Sequence, residues 1–148
     1  MRHNFRKETN RSEIFFNILP KDWQDSIVPF WDNYSTTSQI FVIEINNIVV
    51  GGGIVFSSVS PDTIAFREEA LRWFGNGYLY IGFFYIAEKY RDKKLGSEWL
   101  KNLSLAMPHQ KFWLSIDELK LSSFYMRNGF NLIKKIKGEF GDEWIMAQ

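Results

Sequence analysis

The sequence contains no cysteine and only two histidines, His3 and His109. We therefore expect no disulfide, no thiolate metal site and no cysteine nucleophile. The two histidines lie far apart in the sequence, so neither a histidine-based zinc site nor a Ser/His/Asp triad is expected. The lack of cysteine also excludes a mechanism that passes through a cysteine thioester.

The sequence also lacks a long apolar run and a strong net charge. No uninterrupted apolar stretch reaches the ~18–20 residues of a membrane span, and residues 1–8 contain no signal-peptide core. We therefore expect a cytoplasmic protein without a membrane partner. The formal net charge is +1, which provides no global field to attract nucleic acid. With 148 residues, of which 45% are hydrophobic, the chain is expected to form a single domain, 1–148, with a sizeable core.

Hydrophobic periodicity predicts the element order β-α-β-β-α-β-α-β-α-β-β, a mixed α/β layer architecture. The first strand is predicted at 14–19, and the helix that follows, 20–33, should kink or break at Pro29. Asn46-Asn47 tolerate positive φ and predict a tight hairpin. Gly51–Gly53 indicate either a bulge with a close ligand or simply a weakened strand. Later elements are predicted as helices at 61–74, 95–107 and 121–128 and strands at 78–87, 111–117, 130–137 and 143–148.

The stretch from residue 78 to residue 107 is the most informative part of the sequence. Residues 78–87 are continuously apolar, which predicts a central strand covered on both faces. A basic turn with Arg91, Lys93 and Lys94 follows, and an amphipathic helix begins at Leu95. Unpaired N–H groups and the helix dipole favour an anion at a helix start, and cations there are unfavourable by about 0.3–1 kcal/mol each until an anion arrives. The pattern predicts a phosphate site.

Two motifs resemble the GNAT superfamily of N-acetyltransferases. Residues 90–97, Tyr-Arg-Asp-Lys-Lys-Leu-Gly-Ser, resemble the family's acetyl-CoA pyrophosphate loop, and some members carry Lys where Lys94 stands. Residues 123–130, Ser-Phe-Tyr-Met-Arg-Asn-Gly-Phe, resemble its Tyr-x-x-x-Gly-Phe segment. The element order from Ile14 to Gln148 is similar as well. The resemblance implies a GNAT-like acyl-CoA N-acyltransferase fold, with a mixed and mostly antiparallel central sheet flanked by helices.

The resemblance implies that acetyl-CoA is a co-substrate and that no metal is needed. Backbone N–H groups of the loop would hold the pyrophosphate, and the preceding strand would splay from its neighbour and pair with pantetheine like an extra strand. Arg127 matches a position where a basic residue often meets the nucleotide end of the cofactor; a solvated surface arginine is the alternative. The implied cofactor-binding residues are Phe84, Tyr85, Ile86, Arg91, Asp92, Lys93, Lys94, Leu95, Gly96, Ser97 and Arg127.

Catalytic roles follow less directly from the resemblance. Tyr125 matches the family's tyrosine that protonates the departing thiolate; a core tyrosine is the alternative. The central strand has no carboxylate where the family often carries a Glu, and Glu118 stands where it often carries an Asn. An amine with a pKa near ~10.4 is mostly protonated at pH 7, so some group must accept its proton. Asp117 is the first candidate for this general base, followed by Glu118 and Glu44.

The leading prediction is an enzyme that moves acetyl from acetyl-CoA to the primary amine of a small molecule or peptide by direct attack in a ternary complex. The absent strand Glu motivates an alternative, a non-catalytic acyl-CoA-binding or sensor module on the same fold. A nucleic-acid binder is disfavoured by the low net charge, and a homodimer is left open. Six rings predict either an aromatic-lined acceptor pocket or core packing: Trp23, Phe30, Trp31, Tyr34, Trp73 and Phe74.

Overall fold

The computed structural model describes residues 2–148 and is built around a seven-stranded sheet. The strands are β1 Asn4–Glu8, β2 Ser38–Ile45, β3 Ile48–Phe56, β4 Leu79–Ile86, β5 Phe112–Ile116, β6 Asn131–Gly138 and β7 Gly141–Ala147. Their spatial order is β1-β2-β3-β4-β5-β7-β6. The β4–β5 pair is parallel, and the other five pairs are antiparallel. The expected mixed and mostly antiparallel sheet is confirmed.

Six α-helices flank the sheet. They are α1 Glu13–Phe16, α2 Lys21–Ile27, α3 Trp31–Tyr34, α4 Arg67–Gly75, α5 Leu95–Ala106 and α6 Ser122–Arg127. Short 3-10 segments precede α3, α4 and α6. None of the helices within residues 2–148 is long and apolar enough to cross a membrane.

The predicted order of elements is confirmed, but the first strand was misplaced. Residues 14–19 contribute α1 and a turn, in which Phe16 N–H donates to the carbonyl of Ser12. The true first strand, β1, pairs only with β2 and places a single ring, Phe5, on Phe41 at 5.5 Å. Charged residues fill most of the rest of β1, so an edge strand of this kind shows no readable hydrophobic alternation.

Proline and asparagine act as predicted in the first half. The helix that starts after Pro20 stops at Ile27, and Pro29 lies in the 3-10 segment Val28–Phe30 before α3 begins. Proline lacks the N–H that an α-helix interior requires, so the break falls there. Asn46 and Asn47 have φ of 52° and 66° and join β2 to β3 as a tight hairpin.

The helices cover opposite faces of the sheet. A Cβ on Gly52 would lie 3.0 Å from the Phe15 ring of α1, whereas a Cβ on Gly53 would lie 2.9 Å from Trp99 of α5. Neighbouring residues of a strand point to opposite faces, so α1 and α5 lie on different sides. We call the side of the sheet that carries α1 to α4 the α4 face, and the side that carries α5 and α6 the α5 face. The three strand glycines therefore mark close packing against both layers.

The sheet opens in its middle, between β4 and β5. The two strands pair only at Leu79 with Phe112 and at Tyr80 with Trp113. Beyond these pairs, residues 81–86 have β3 as their only strand partner. We call the divergence the β4–β5 split. It creates a place where an extended ligand can lie against strand edges.

A bulge in β4 accompanies the split. Gly52 pairs with Tyr85 and Ile54 with Gly82, so two residues of β4, Phe83 and Phe84, stand opposite Gly53 alone. Phe83 has φ of +53°, which is unusual for a bulky residue. The extra residue bends β4 away from β5.

Candidate active site

The loop from Asp92 to Ser97 presents a row of free backbone donors. Asp92 and Lys94 have φ of 61° and 63°, and α5 begins directly after Lys94. The first helical hydrogen bond runs from Glu98 N–H to the Lys94 carbonyl. Within residues 2–148, no amide from Asp92 to Ser97 donates to a backbone carbonyl or a side chain. Alternation of left- and right-handed conformations turns such amides toward one point and makes an anion-binding concavity.

The cations of this loop have different environments. Arg91 Nε donates to the carbonyl of Ile86 at 2.9 Å, and its guanidinium lies 5.1 Å from the centre of the Tyr85 ring. Arg91 therefore fastens the loop to the end of β4. Lys93 and Lys94 are exposed and remain available to an anion. Leu95 is 3% exposed and anchors the helix start in the core.

The two sequence motifs touch each other in the structure. A Cβ on Gly96 would lie 3.1 Å from the Phe124 ring and 3.5 Å from Phe84. Asn128 Nδ2 also donates to Ser97 Oγ at 3.2 Å. The absent side chain of Gly96 thus makes room for α6, a role the sequence did not reveal. As a result, the loop, α6 and β4 meet at the split.

Residues 84–86, predicted to pair with pantetheine, lie at the bulge and the end of β4. The Phe84 ring lies 4.9 Å from Trp99 and faces α6 on the α5 face, whereas Tyr85 lies 5.6 Å from Trp23 on the α4 face. A Cβ on Gly51 would lie 2.5 Å from the end of the Ile86 side chain. The side chains of 84–86 are thus held by packing, which leaves their backbone edge to face the split.

Tyr125 belongs to α6 and lies on the α5 face of the split. Its ring lies 5.0 Å from Phe124, 5.9 Å from Phe130 and 6.3 Å from Phe84. Burial alone raises the pKa of the phenol well above its ordinary value, and no hydrogen-bond acceptor for it lies within the described residues. The hydroxyl therefore keeps its proton at neutral pH and has it free to donate. Arg127, two residues further along α6, is exposed.

The three acids considered as bases occupy unlike positions. Asp117 is exposed just past the end of β5. Glu118 forms an exposed ion pair with Lys120 at 3.1 Å. Glu44 lies on β2 in an ion pair with Arg6 at 3.2 Å, and hydrogen bonding to Arg6 lowers its pKa. The ion pair with Arg6 makes Glu44 a poorer proton acceptor than an unpaired glutamate.

A polar chain on the α4 face, which the sequence reasoning missed, crosses the start of the split. Tyr80 Oη donates to Asp62 Oδ2 at 2.7 Å and lies 2.9 Å from Ser115 Oγ. Glu143 lies on β7, two residues before Ile145, the strand partner of Ser115. The second oxygen of Asp62 accepts from the buried hydroxyl of Ser60. The turn after β3, β4 and β5 thus converge on one hydrogen-bonded line, Asp62–Tyr80–Ser115.

The surroundings shift the pKa of both carboxyls upward. Burial raises the pKa of Glu143 to about 7, and the negative charges of Asp62 and Asp117 add to the rise. Desolvation also raises the pKa of Asp62, although the residue as a whole reaches solvent. On β6, a Cβ on Gly138 would collide with the end of the Glu143 side chain, so Gly138 leaves room for that carboxyl.

Ser115 is the residue from which the sequence could have indicated these polar contacts on the α4 face. It is the one polar residue in β5, Phe112–Ile116, and a lone hydroxyl in a buried strand requires a partner. Neither Asp62 nor Glu143 could be placed near it from sequence, because the position of Asp62 and the register of β5 with β7 are long-range properties.

Most of the six candidate pocket rings serve the core. Trp73 and Phe74 pack on Trp113 at 6.0 and 5.8 Å. Trp31 packs on Phe16, and Tyr34 packs on Phe56. Two rings remain near the split or the surface: Trp23, which lies 6.1 Å from Phe83 of the bulge, and Phe30, which is 48% exposed.

No group of three or more His, Cys, Asp or Glu side chains placed to hold a metal ion occurs within residues 2–148. Near the split, the carboxyl groups of Asp62, Asp117 and Glu143 and the hydroxyl of Tyr125 are groups that can exchange protons.

Solved structures share this fold along nearly the whole chain. A GNAT acetyltransferase from Elizabethkingia anophelis with acetyl-CoA bound has 14% identity and a TM-score of 0.67, covering 99% of this chain and 97% of its own. The ribosomal-protein-S18-alanine N-acetyltransferase from Escherichia coli has 16% identity and a TM-score of 0.69, with coverage of 99% and 92%. A GNAT acetyltransferase from Staphylococcus aureus Mu50 has 16% identity and a TM-score of 0.67, with coverage of 99% and 98%. At these identities the likeness establishes the fold.

The sequence itself provides the assignment. Among curated proteins, none matches it. The model of the acetyltransferase (GNAT) family matches residues 8–130, a range that includes the loop, β4, the split and Tyr125. The chain therefore belongs to the GNAT family of acetyltransferases.

Proposed function

We propose that this protein transfers an acetyl group from acetyl-CoA to a primary amine by direct attack in a ternary complex. The observation that carries the proposal is the row of free amides from Asp92 to Ser97, placed beyond the end of β4 that has diverged from β5. Charge-assisted hydrogen bonds contribute roughly 1.5–3 kcal/mol each, so several of them hold a pyrophosphate. Lys93, Lys94 and Arg127 supply exposed positive charge around it.

The β4–β5 split provides a place for the rest of acetyl-CoA, namely the pantetheine arm and the thioester. Residues 84–86 have a backbone edge without a strand partner on the β5 side, and an extended pantetheine arm offers amide groups that pair with such an edge. The loop and the edge together direct the thioester toward the bulge, between the two faces of the sheet.

Tyr125 acts as the general acid in this proposal. Its protonated hydroxyl donates to the sulfur as the C–S bond breaks, so that CoA leaves as a thiol, and it regains a proton from solvent. The amine must lose a proton before it attacks. Asp117, exposed at the end of β5, takes that proton or passes it to water.

The acceptor is an amine that enters from the α4 face, where Asp62, Asp117 and Glu143 give the surface negative charge. A cationic ammonium group is favoured in such a field. The Escherichia coli relative is named as an N-acetyltransferase of an alanine in a ribosomal protein. An acceptor of that kind is consistent with a peptide or small-molecule amine here.

A non-catalytic acyl-CoA-binding module is the second candidate. The observation that favours it is the absence of a carboxylate from β4. Fold and donor site are the same for both candidates, and transfer to an amine separates them.

Donor binding and transfer are tested in two steps. We expect acetyl-CoA at 100 times its Kd to add about 2.7 kcal/mol to the free energy of unfolding, which a thermal melt detects. Thiol release from acetyl-CoA is then followed with n-butylamine, cadaverine and alanyl-alanine amide. No melting shift at millimolar acetyl-CoA contradicts donor binding, and a shift without amine-dependent thiol release favours the binding module.

A further inference from the structure

Asp62 lies in the segment that joins β3 to β4, and buried hydroxyl groups fix the turn that contains it. Ser60 and Thr63 are both 0% exposed. Thr63 N–H donates to the Ser60 carbonyl at 3.0 Å, and Ser60 N–H donates to Thr63 Oγ1 at 2.9 Å. Asp62 is the third residue of this turn and is itself exposed. The fold therefore holds one solvent-accessible acid at a fixed point of the backbone.

The carboxylate of Asp62 is oriented as well. Oδ1 accepts from the Ser60 hydroxyl, and Oδ2 accepts from Tyr80 Oη at 2.7 Å. Each carboxylate oxygen has two lone pairs, so each keeps one for a further donor. Tyr80 Oη also lies 2.9 Å from Ser115 Oγ, and the two hydroxyl hydrogens can point in sequence from Ser115 to Tyr80 to Asp62. In that arrangement both hydroxyls stabilise the negative charge of Asp62.

No cation of the protein balances this charge. Within residues 2–148, no Lys, Arg or His lies at ion-pair distance from Asp62. Arg72 of α4 and Lys134 of β6 pair with Glu69 instead. Desolvation raises the pKa of Asp62, as expected for an anion without a counter-charge. The carboxylate is thus held in place by hydroxyl groups and left open to a cation from outside.

The position of Asp62 indicates which cation it receives. A Cβ on Gly82 would lie 3.4 Å from Asp62 Oδ2, so the carboxylate lies over Gly82 on the α4 face. Gly82 directly precedes the bulge residues Phe83 and Phe84, toward which the thioester is directed. β4 contains no carboxylate of its own. Asp62 therefore provides, from outside the strand, an anion beside the place where the acetyl group is transferred.

The hydrogen-bonded line keeps Asp62 in register with both strands of the split. Tyr80 and Trp113 form the last pair between β4 and β5, and Ser115 lies two residues further along β5. The contact between Tyr80 and Ser115 consequently crosses the split at its closed end. Because Tyr80 also donates to Asp62, the carboxylate is fixed relative to β4 and, through Ser115, relative to β5.

We propose that Asp62 is the acceptor-binding residue: its carboxylate pairs with the ammonium group of the incoming amine beside the bulge in β4. The inference rests on the proposed acetyl transfer and names the residue that selects a cationic acceptor. An ammonium group has several N–H donors, and the free lone pairs of Asp62 accept from them. Asp62 keeps its negative charge throughout. The proton that the amine must lose leaves by way of Asp117 or water, as proposed above.

The charges around Asp62 also define the class of acceptor. Asp62 and Asp117 act on Glu143 as further negative charges, so this surface repels a second anion. An amine with a carboxylate on the next carbon, such as free alanine, brings its own negative charge into this field and is disfavoured. We therefore expect alkylamines and the amino groups of peptides to bind, and free amino acids to bind poorly.

Binding is tested by ¹³C NMR titration of the full chain with labelled Asp carboxyl groups, in the presence of saturating CoA, which has no acetyl group to transfer. The Asp62 signal is identified by its absence in Asp62→Asn. n-Butylamine remains a cation during the titration because its pKa is near ~10.4. It should lower the titration midpoint of Asp62 by about one pH unit or more, whereas n-butanol, with the same chain and no charge, should not change it. An Asp62 signal that responds equally to both compounds, or to neither, overturns the site.

The kinetic test uses thiol release with whichever of the three named amines is acetylated. Asp62→Asn should raise KM for the amine by about 10–100-fold and change kcat little, because it removes binding that the ground state and the transition state share. Glu68→Gln, the matched control, removes an exposed carboxylate from the same segment and should leave KM unchanged. A fall in kcat at constant KM, or an equal rise in KM for Glu68→Gln, contradicts the binding role.

Tyr80→Phe is the second variant if Asp62→Asn melts well below the wild type. It keeps the charge of Asp62 and removes the donor that orients it, so KM should rise, but by less than in Asp62→Asn. The failures are distinguishable. If the wild type acetylates none of the amines while n-butylamine lowers the midpoint of Asp62, the proposed transfer fails and the site stands. If acetyl-CoA does not shift the melting temperature, the same titration of the free protein decides the site.

Discussion

The two sides of the β4–β5 split are built by different means. On the loop side, a contiguous segment, Asp92–Ser97, presents backbone N–H groups and flexible cations to the split. On the α4 face, single side chains from three separate parts of the chain form the hydrogen-bonded line Asp62–Tyr80–Ser115. A backbone cradle tolerates most side-chain changes because its donors belong to every residue. A side-chain line is interrupted by one substitution.

This difference decides which substitutions have large effects. On the loop side, changes in backbone shape or added negative charge should weaken binding, and loss of one lysine should not. Around the split, loss of a single hydroxyl or carboxyl should alter rate or pH dependence with little effect on donor affinity.

Tyr125→Phe gives the largest expected effect. The ring stays in its aromatic cluster, so packing and acetyl-CoA affinity should change little, while the proton donor to sulfur is lost. We expect kcat to fall by about 10²–10⁴-fold, measured as amine-dependent thiol release. Tyr34→Phe, whose ring packs on Phe56 on the other face, is the control and should retain its activity. Full activity of Tyr125→Phe would remove this residue from the mechanism and make the α5 face purely structural.

The contrast between backbone and side-chain recognition is tested by Gly96→Asp against Lys94→Ala. The aspartate puts a carboxylate near the anion and presses its Cβ against Phe124, so CoA affinity should fall by roughly 10–100-fold. Lys94→Ala removes one exposed charge and should cost no more than about 1 kcal/mol. Calorimetric titration with CoA compares the two. Equal losses would mean that side-chain charge, rather than backbone geometry, holds the pyrophosphate.

Glu143→Gln tests the acidic surface beside the side-chain line through stability. Because the folded pKa of about 7 exceeds the ordinary 4.5, the folded state binds more protons between these values. The free energy of unfolding therefore falls as pH rises from about 4.5 to about 7 and then levels off. Glu143→Gln should remove this loss and be about 1–2 kcal/mol more stable than the wild type at pH 8, but not at pH 4. Glu139→Gln, on the exposed hairpin, should show no such difference in thermal melts.

The smallest effect is expected far from the split, for Glu44→Gln. The Arg6–Glu44 ion pair ties the edge strand β1 to β2, and the pKa of Glu44 is lowered. The variant should lose about 0.5–1 kcal/mol at pH 7, and the difference should shrink as pH falls below the ordinary 4.5 and through the lowered pKa of Glu44 in the folded state. Unchanged kcat would separate this acid from the reaction, and a large fall in kcat would show that the chemistry extends beyond the split.

Sequence reasoning predicted the features that depend on neighbouring residues better than the features that depend on residues far apart in the sequence. The loop, the helix after it and Tyr125 were found because their residues are contiguous and resemble a family pattern. The Asn46-Asn47 hairpin and the break at Pro29 were found because backbone preference acts locally. The line on the α4 face depends on the register of β4 with β5 and on the position of Asp62 after β3, which no local pattern specifies.

The error at the first strand has a related cause. Phe15 and Phe16 are both buried, and two adjacent buried rings look like a strand covered on both faces. In the structure, the start of α1 places one against β3 and the other against Trp31. The real β1 is an edge whose polar residues form ion pairs, so its strand character derives from β2 rather than from its own composition.

Gly138 is a position at which a substitution would change the surroundings of the Glu143 carboxyl. Its φ is not in the left-handed region, so the backbone there accepts any ordinary residue, and the obstacle to a side chain is the flexible end of Glu143. A single change of Gly138 to Ala would leave the hairpin standing and push that carboxyl along the surface. The pH dependence of folding stability can thus shift through Gly138, a position outside the hydrogen-bonded line, while every residue of that line stays the same.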